Sequence, residues 1–330
     1  MAKPTQQTHA GRRRAADEST ILGPGDNMGE GDTSLVLDFL PPDLADTAFE
    51  ALLREVQWST MYHRGGEVPR RVAVEGEINA DGGFPVYRHP ADESPPLHPF
   101  SPTVARIRAH VERVLQQPVN HVLIQHYRTG ADYISEHSDK TIDVVRGSSI
   151  VNVSLGAQRV MTMRTKKDAT ASPSHNGNGG GGSPATPDDP ADDASAVSAP
   201  GARRGIQRIP LPHNSMFVMG LATNARWMHG IRHDKRPTAL KTEEERAADG
   251  ARISLTFRHI GTFLARGETH IYGQGARGKT ADDARPVVLG GPEAEKLIIA
   301  FGNENHQSDF DWEANYGEGY DVLHFNVREG

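Results

Sequence analysis

The stretch that decides the fold is Arg252-Ile253-Ser254-Leu255-Thr256-Phe257-Arg258, which alternates apolar and polar residues without a break. Successive side chains of a β-strand point to opposite faces, so the three apolar residues share one face and the four polar residues share the other. The pattern therefore predicts a strand with one apolar face and one face that carries two arginines.

Other segments with strand-like alternation lie before this one along the chain, at 35–39, 71–74, 121–127, 150–154, 159–164, 208–211 and 215–219. Short connections, such as the turn at Gly156, indicate that these strands pair antiparallel. Prolines at 42 and 102 begin two helices whose apolar residues recur at helical spacing, and 292–300 predicts a third. The sequence therefore predicts a mainly β fold with flanking helices.

Composition suggests where the folded part of the chain begins and ends. Of the 330 residues 36% are hydrophobic, with 34 glycines and 22 prolines. Residues 1–33 are polar and lack periodicity, and 169–202 consist almost entirely of Ser, Gly, Pro, Asp and Ala, so both are expected to be disordered. The chain from Trp58 to Pro99 is expected to be largely irregular loop. The predicted organisation is a tail at 1–33, a domain at 34–260 and a C-terminal extension at 261–330 that docks on the core through its aromatic residues.

Several classes of site are excluded by composition. The chain has no cysteine, which excludes disulfides, zinc–thiolate sites and cysteine nucleophiles, so any metal must be bound by His, Asp or Glu. The sequence shows neither a signal peptide nor an apolar run long enough for a membrane span, and we expect an intracellular monomer, nuclear or cytoplasmic. The net charge of −7 gives no direct sign of a polyanionic partner.

The first candidate for a site is His137-Ser138-Asp139. On a strand the imidazole and the carboxylate would lie on the same face, and one more ligand would complete a 2-His-1-carboxylate iron site. This spacing also occurs often by chance. Arg252 and Arg258 leave two alternatives as well, because they could form surface salt bridges or, if buried, bind a dicarboxylate such as 2-oxoglutarate.

Taken together, the motifs resemble the AlkB family of Fe(II)/2-oxoglutarate-dependent dioxygenases, in particular its homologue 2 and 3 branches. The resemblance runs in order from about Trp58 to Ile260, interrupted by the 169–202 insertion. Its elements are Val68-Pro69-Arg70, Val122-Leu123-Ile124 with Tyr127, Gly130, Glu136 to Asp139, Gly147-Ser148, Val153 to Gly156, Thr223-Asn224 with Trp227 and His229, and Arg252 to Arg258.

The resemblance implies a double-stranded β-helix, or jelly roll, and a role for each matching residue. The implied ligands of Fe(II) are His137, Asp139 and His229. Tyr127 and Arg252 correspond to the pair that holds the distal carboxylate of 2-oxoglutarate. Arg258 corresponds to a catalytic residue at the chelating end, where it also orients Asp139. The implied cofactors are Fe(II), 2-oxoglutarate and O₂.

The implied reaction couples decarboxylation of 2-oxoglutarate to hydroxylation of a substrate C–H bond. An N-methyl group treated in this way is lost as formaldehyde, so DNA or RNA carrying methylated bases is the expected substrate. Two alternatives remain at this point. The same chemistry could act on a small molecule or a protein side chain, or the chain could be a catalytically silent binding module.

Departures from the family pattern bear on cosubstrate and substrate. Gln125 and Ser254 stand where repair members carry Asn beside the cosubstrate. Lys140-Thr141 follow the ligands where those members carry an acid that contacts the base, and Asp143 could replace that acid or be a solvated loop carboxylate. In the lid, Tyr87 and Arg88 are candidates to contact a flipped base, together with Lys140 and Thr141.

Overall fold

The computed structural model describes residues 20–63, 66–90, 95–167 and 204–324. The predicted 169–202 insertion and residues 1–19 of the predicted tail lie outside these ranges. The strands up to the insertion are β1 Thr20–Ile21, β2 Thr33–Leu37, β3 Ser59–His63, β4 Gly66–Gly76, β5 Phe84–Pro85, β6 Leu97–Pro99, β7 His121–Tyr127, β8 Ile134–His137, β9 Ile150–Gly156 and β10 Arg159–Thr165.

The remaining strands are β11 Ile206–Leu211, β12 Ser215–Met219, β13 Trp227–Ile231, β14 Arg252–Arg258, β15 Thr262–Leu264, β16 His270–Gly273, β17 Arg285–Pro286, β18 Val288–Leu289 and β19 Val322–His324. The α-helices are α1 Pro42–Glu55, α2 Pro102–Leu115, α3 Leu221–Arg226, α4 Glu243–Arg246, α5 Gly291–His306 and α6 Trp312–Tyr316. None of the helices in the described ranges is long and apolar enough to cross a membrane.

Two sheets form the centre of the fold. The larger has the strand order β2-β12-β9-β14-β7-β4-β3, with β6 beside β4, and the smaller has the order β1-β11-β10-β13-β8. From β7 to β14 the chain passes repeatedly from one sheet to the other, and these strands pair antiparallel. This connectivity is that of a jelly roll, so the predicted mainly β fold with flanking helices is confirmed.

The decisive strand β14 has the ends predicted from its alternation and lies between β7 and β9. Its apolar residues Ile253, Leu255 and Phe257 belong to the main core, which also contains the apolar faces of α1 and α2. Each of these helices has a proline in its first turn, where the missing N–H costs no hydrogen bond. Because the helices cover one face of the large sheet, the polar face of β14 is directed toward the small sheet.

Order begins earlier in the chain than predicted. β1 pairs with β11, Met28 is fully buried, and the indole of Trp227 donates a hydrogen bond to Glu30. The predicted 1–33 tail is therefore wrong for residues 20–33. The polar composition of this segment predicted disorder, whereas specific hydrogen bonds, rather than an apolar stripe, hold it on the fold.

The region from Trp58 to Pro99 is also more regular than predicted. β3 and β4 form a hairpin, and β4 extends the large sheet by pairing with β7. The short strand predicted at 71–74 is thus the centre of an 11-residue strand. The glycines and prolines in this stretch led to the prediction of a loop. The extended conformation comes instead from pairing with β7, which the local sequence does not reveal.

The segment after β14 packs on the core through α5, α6 and β15–β19. Ile142, which follows the candidate metal ligands, lies in one cluster with Leu297 and Phe301 of α5, Tyr316 of α6 and Val322. Lys166, at the end of β10, donates to the carbonyl oxygens of Glu304 and Gln307. These contacts place α5 beside the loop that follows β8.

Candidate active site

Three side chains that could bind a metal meet on the inner face of the small sheet. His137 is the last residue of β8 and lies directly opposite His229 in β13, and Asp139 follows two residues after His137. Asp139 Oδ1 is 3.6 Å from His137 Nε2 and 3.8 Å from His229 Nε2. All three donor atoms lie within 4.8 Å of one another. One carboxylate oxygen and two imidazole nitrogens in this arrangement match a 2-His-1-carboxylate facial triad.

The protonation states also suit a metal. His137 Nδ1 lies 2.8 Å from the carbonyl oxygen of Ser135, to which its N–H donates, so its Nε2 lone pair remains available. Burial lowers the pKa of His137, and burial together with the neighbouring His137 lowers the pKa of His229 to about 3. Both rings are therefore neutral near neutral pH, as ligands must be.

Asp139 is held in place by two side chains. Arg258 Nη2 and Nε donate to Asp139 Oδ2 at 2.6 and 3.0 Å, which leaves Oδ1 directed at the histidines. Burial alone would raise the pKa of Asp139, but Arg258 and the two histidines lower it below its usual range. Asn224 exchanges two hydrogen bonds of 2.9 Å with the backbone of Asp139. The carboxylate is therefore ionised and fixed in position before any ligand binds.

Arg252 lies at the other end of the polar face of β14 and needs an anion. Its Nη2 donates to Ser154 Oγ at 2.7 Å and to Asn152 Oδ1 at 3.0 Å, whereas Nε and Nη1 are buried with no partner among the described residues. Its guanidinium carbon lies 5.2 Å from the centroid of the Tyr127 ring. Burial lowers the pKa of Arg252 to about 10, so the group is still charged at neutral pH. A carboxylate beside Tyr127 would satisfy the unpaired nitrogens.

A narrow cavity joins Arg252 to the metal-binding side chains, and its wall also contains Gln125 and Ser254. Ser254 Oγ accepts a hydrogen bond of 2.7 Å from Asn152. Gln125, with its amide oxygen toward Arg70, accepts from Arg70 Nε at 2.8 Å and lies 3.3 Å from the Tyr127 hydroxyl. The residues therefore fit a dicarboxylate with one end at the metal and the other at Arg252.

A second, wider cavity of about 760 Å³ opens on the other side of His137, Asp139 and Arg258. Tyr87 lies in its wall, and the Tyr87 hydroxyl accepts a hydrogen bond of 3.0 Å from the backbone N–H of Lys140. Arg258 stacks on the Tyr87 ring at 4.0 Å. Burial, and then the Asp139 carboxylate, raise the pKa of Tyr87, so the phenol stays neutral. Tyr87 and Lys140 are thus at the cavity, where sequence analysis expected substrate contacts.

The other two expected substrate contacts lie elsewhere. Arg88 is buried in an ion pair of 2.7 Å with Asp143, and it donates to the carbonyl oxygens of Gly275, Tyr320 and Val322. It holds the C-terminal segment in place rather than facing the cavity. Because Asp143 is buried in this ion pair, it is not a solvated loop carboxylate, and it does not replace the acid that contacts the base in repair members of the family.

Thr141 is the second correction. Its backbone N–H donates to Glu304 Oε1 at 2.9 Å, and its hydroxyl hydrogen-bonds to the same oxygen. Tyr316 donates to the other carboxylate oxygen of Glu304 at 2.8 Å. Thr141 therefore joins the loop after the candidate ligands to α5. The carboxylate that binds this loop is that of Glu304, which the motif spacing did not indicate.

Sequence reasoning missed the residues that position the site from neighbouring strands. Asn152 and Ser154 face Thr256 and Ser254 across the β9–β14 pair, and Asn224 was part of a quoted motif without a role. The alternation in β9 could have placed Asn152 and Ser154 on one face, but the register that brings them to Arg252 is not encoded in either strand alone. The α5 residues in the cavity wall, such as Phe301 and Asn305, gave no signal at all.

Comparison with known proteins agrees with this geometry. A family model described as the 2OG-Fe(II) oxygenase superfamily matches residues 32–258. The human DNA oxidative demethylase ALKBH2 is 30% identical over 223 residues, covering 66% of this chain and 69% of that protein. The Bos taurus alpha-ketoglutarate-dependent dioxygenase alkB homolog 3 is 27% identical over 220 residues, covering 66% of this chain and 62% of that protein. The α5 wall of the wide cavity lies beyond the matched family region.

Proposed function

Because the chain belongs to the AlkB family of the 2OG-Fe(II) oxygenase superfamily, and so is an Fe(II)- and 2-oxoglutarate-dependent oxidoreductase, we propose that it removes N-methyl groups from nucleic-acid bases by oxidation. The observation that carries the proposal is that the narrow cavity and the wide cavity meet at His137, Asp139 and Arg258. A cosubstrate on one side and a flipped base on the other would both reach the metal there.

In this proposal each residue has a defined task. His137, Asp139 and His229 hold Fe(II), and Arg252 with Tyr127 binds the distal carboxylate of 2-oxoglutarate. Arg258 keeps Asp139 ionised and oriented. No side chain is needed as a general base, because the metal and the cosubstrate would carry the chemistry. When bound, iron and 2-oxoglutarate supply the oxidation of the methyl group by O₂, and the hydroxylated methyl group then leaves as formaldehyde.

The walls of the wide cavity suit a base that has left its stack. Tyr87 offers a ring, Met61 and Phe301 offer apolar surface, and residues of β8 also line the cavity. Relatives whose names describe DNA demethylation support a nucleic-acid substrate. Action as a monomer and a nuclear or cytoplasmic location stay predictions.

The test is to incubate the protein with Fe(II), 2-oxoglutarate and methylated oligonucleotides, and to measure succinate, formaldehyde and the mass of the oligonucleotide. Matched release of succinate and formaldehyde with loss of a methyl group is expected. Succinate without a change in any oligonucleotide would favour a small-molecule or protein substrate, and absence of both turnover and iron binding would contradict the enzymatic function.

His137→Ala should abolish turnover and weaken iron binding without unfolding the protein, because the side chain lies at the edge of the cavity and is not a core element. His270→Ala is the matched control, since His270 is exposed on β16 and hydrogen-bonds within its own turn to Thr269. Retained turnover in His137→Ala, or equal loss in His270→Ala, would refute the ligand assignment.

A further inference from the structure

The wide cavity contains two buried cations that form no ion pair with a carboxylate among the described residues. Arg70 and Lys140 lie in its wall and are 8% and 6% exposed. Arg70 donates to uncharged acceptors, the carbonyl oxygen of Tyr133 at 2.9 Å and the amide oxygen of Gln125. The Lys140 ammonium lies 3.4 Å from Asn305 Oδ1. Within the described ranges of the chain, neither cation forms an ion pair with an acid.

The acids near these cations are engaged by other groups. Glu304, whose charge acts on Lys140, accepts hydrogen bonds from Thr141 and Tyr316 and does not line the cavity. Asp139 is engaged by Arg258 through one oxygen and directs the other at the histidines. Glu67 lies in the wall but is exposed to solvent, where its charge is screened. The deep part of the cavity, as far as the structure describes it, therefore presents positive charge and hydrogen-bond donors to whatever enters.

Asn305 of α5 adds a neutral donor to this wall. Its Oδ1 accepts from the Ser138 backbone N–H at 3.0 Å, and also lies 3.4 Å from both Ser138 Oγ and Lys140 Nζ. These contacts fix the orientation of the amide, because Oδ1 must face the donors. The NH₂ group then has no hydrogen-bond partner among the described residues, and Asn305 lines the cavity. Two N–H donors are thus available to a ligand.

The chemistry of methylated bases separates them into two classes at this wall. Methylation at N1 of adenine or N3 of cytosine produces a cation. Methylation at N1 of guanine or N3 of thymine leaves the base uncharged, with a carbonyl oxygen on the ring carbon that carries the amino group in methylated adenine or cytosine. Carbonyl oxygens accept from ammonium and amide donors, whereas a cationic base beside Lys140 and Arg70 is repelled by their positive charges.

We propose that the wall formed by Lys140 and Asn305 selects an uncharged N-methylated base with a carbonyl oxygen beside the methylated nitrogen, in preference to a cationic methylated base. This inference rests on the proposed function, since it names the substrate class of the same cavity. It also assigns a role in specificity to α5, which lies outside the region shared with the family.

The test is a competition in one tube between two oligonucleotides of identical sequence, one with N3-methylthymine and one with N3-methylcytosine. The ratio of their kcat/KM values does not depend on the fraction of active protein. We expect the uncharged base to be favoured by on the order of tenfold, the effect of one hydrogen bond to a charged donor. Equal rates or faster loss of the cationic base would overturn the inference and leave the proposed function intact. Demethylation of neither base, nor of the adenine and guanine counterparts, would overturn both.

Two variants test the residues themselves. Lys140→Met removes the charge with little change in side-chain length, and should bring the ratio toward one. Asn305→Asp keeps the oxygen that accepts from Ser138 but replaces the free NH₂ group with negative charge, and should reverse the preference. The matched control is Asn303→Asp, which makes the same change on the same helix outside the cavity wall and should leave the ratio unchanged.

A second readout excludes a general loss of activity as the cause. The affinity of each oligonucleotide is measured without 2-oxoglutarate, so that no turnover occurs. The two affinities should shift in the same directions as the kinetic ratios. If Asn305→Asp and Asn303→Asp change the ratio equally, the effect is a long-range one of net charge, and the assignment to Asn305 is overturned.

Discussion

Arg252 illustrates how a single residue can imply a ligand. Its side chain is among the largest fully buried ones in the described protein, and two of its nitrogens have no partner there. A buried unpaired guanidinium is costly, whereas one that receives a carboxylate in a bidentate geometry is stabilised. The fold therefore keeps a position of high energy that binding of an anion relieves.

We predict that Arg252→Lys raises the KM for 2-oxoglutarate by on the order of a hundredfold, because lysine keeps the charge but cannot form two parallel hydrogen bonds. Succinate formation as a function of 2-oxoglutarate concentration measures the change. Arg159→Lys is the control, since Arg159 is also buried but donates to carbonyl oxygens of Asp132 and Arg232 outside the cavity. An unchanged KM in Arg252→Lys, or the same rise in Arg159→Lys, would contradict the role of Arg252.

At the scale of single residues, the sequence predicts which side chains form the candidate site but not which hydrogen bonds position those side chains. Alternation in β14 placed Arg252 and Arg258 on one face, and the spacing of His137 and Asp139 indicated a pair of ligands. The hydrogen bonds to Asn152 and Asn224 depend on strand register and on the packing of α3, which are long-range properties. Arg88 was misjudged for the same reason, because its partner Asp143 is 55 residues away along the chain.

At the scale of elements, the connection from β9 to β10 depends on one glycine. Gly156 has φ +86, and a Cβ there would lie 2.5 Å from the carbonyl oxygen of Ala251 and 2.7 Å from the Phe49 ring. Gly147 has a similar φ of +81, but a Cβ there would meet nothing within 4 Å. Comparing the two glycines therefore distinguishes the cost of backbone strain, which both positions share, from the cost of steric overlap, which applies only to Gly156.

We expect Gly147→Ala to lower the free energy of unfolding by about 1–2 kcal/mol, the cost of a left-handed conformation for an L-residue. Gly156→Ala should cost roughly 1–3 kcal/mol more, because Ala251 and Phe49 must move as well. Urea denaturation of both variants provides the comparison. Equal losses would show that β9 and the segment before β14 can separate without penalty.

The helix α5 should contribute to both stability and substrate binding. Leu297 is fully buried in the cluster that joins the C-terminal segment to Ile142, whereas Ile299 on the same helix is 61% exposed. Leu297→Ala should lower the free energy of unfolding by about 2–5 kcal/mol, and Ile299→Ala by less than about 0.5 kcal/mol.

Because α5 lines the wide cavity but not the narrow one, Leu297→Ala should also raise the KM for the oligonucleotide more than the KM for 2-oxoglutarate. Initial rates with each substrate varied in turn measure the two constants. If both rise equally, α5 supports the protein as a whole and has no specific part in the substrate wall.

Element boundaries were predicted best where packing is simple. β7, β12 and β14 have the predicted ends, since each alternates or is buried along its whole length. The β3–β4 hairpin and residues 20–33 were missed because glycines and polar residues dominate them. Their order comes from pairing with β7 and β11 and from side-chain hydrogen bonds, which no local pattern reveals.

For the molecule as a whole, burial of histidines between the sheets couples stability to pH. His121, His137 and His229 all have lowered pKa values, with burial as the largest cause. The unfolded chain binds protons at these positions below about pH 6.5, whereas the folded protein does not. Stability therefore rises with pH through this window and is lost as the pH falls.

His121 offers the clearest test, because it is not a candidate metal ligand. Burial, followed by the positive charge of Arg258 and by His89, lowers the pKa of His121 to about 3. Between about pH 6.5 and that value the unfolded state holds one proton more than the folded state at this position. The free energy of unfolding therefore changes by at most about 1.4 kcal/mol per pH unit.

His121→Phe keeps a buried ring of similar shape and cannot take up the proton. The free energy of unfolding of the metal-free protein, measured by urea denaturation between about pH 5 and 7, should therefore fall less steeply with acidification in the variant than in the wild type. If the free energy of unfolding falls equally steeply in both proteins, His121 is protonated in the folded protein. The packing around Tyr87 and Arg258 would then accommodate a buried positive charge.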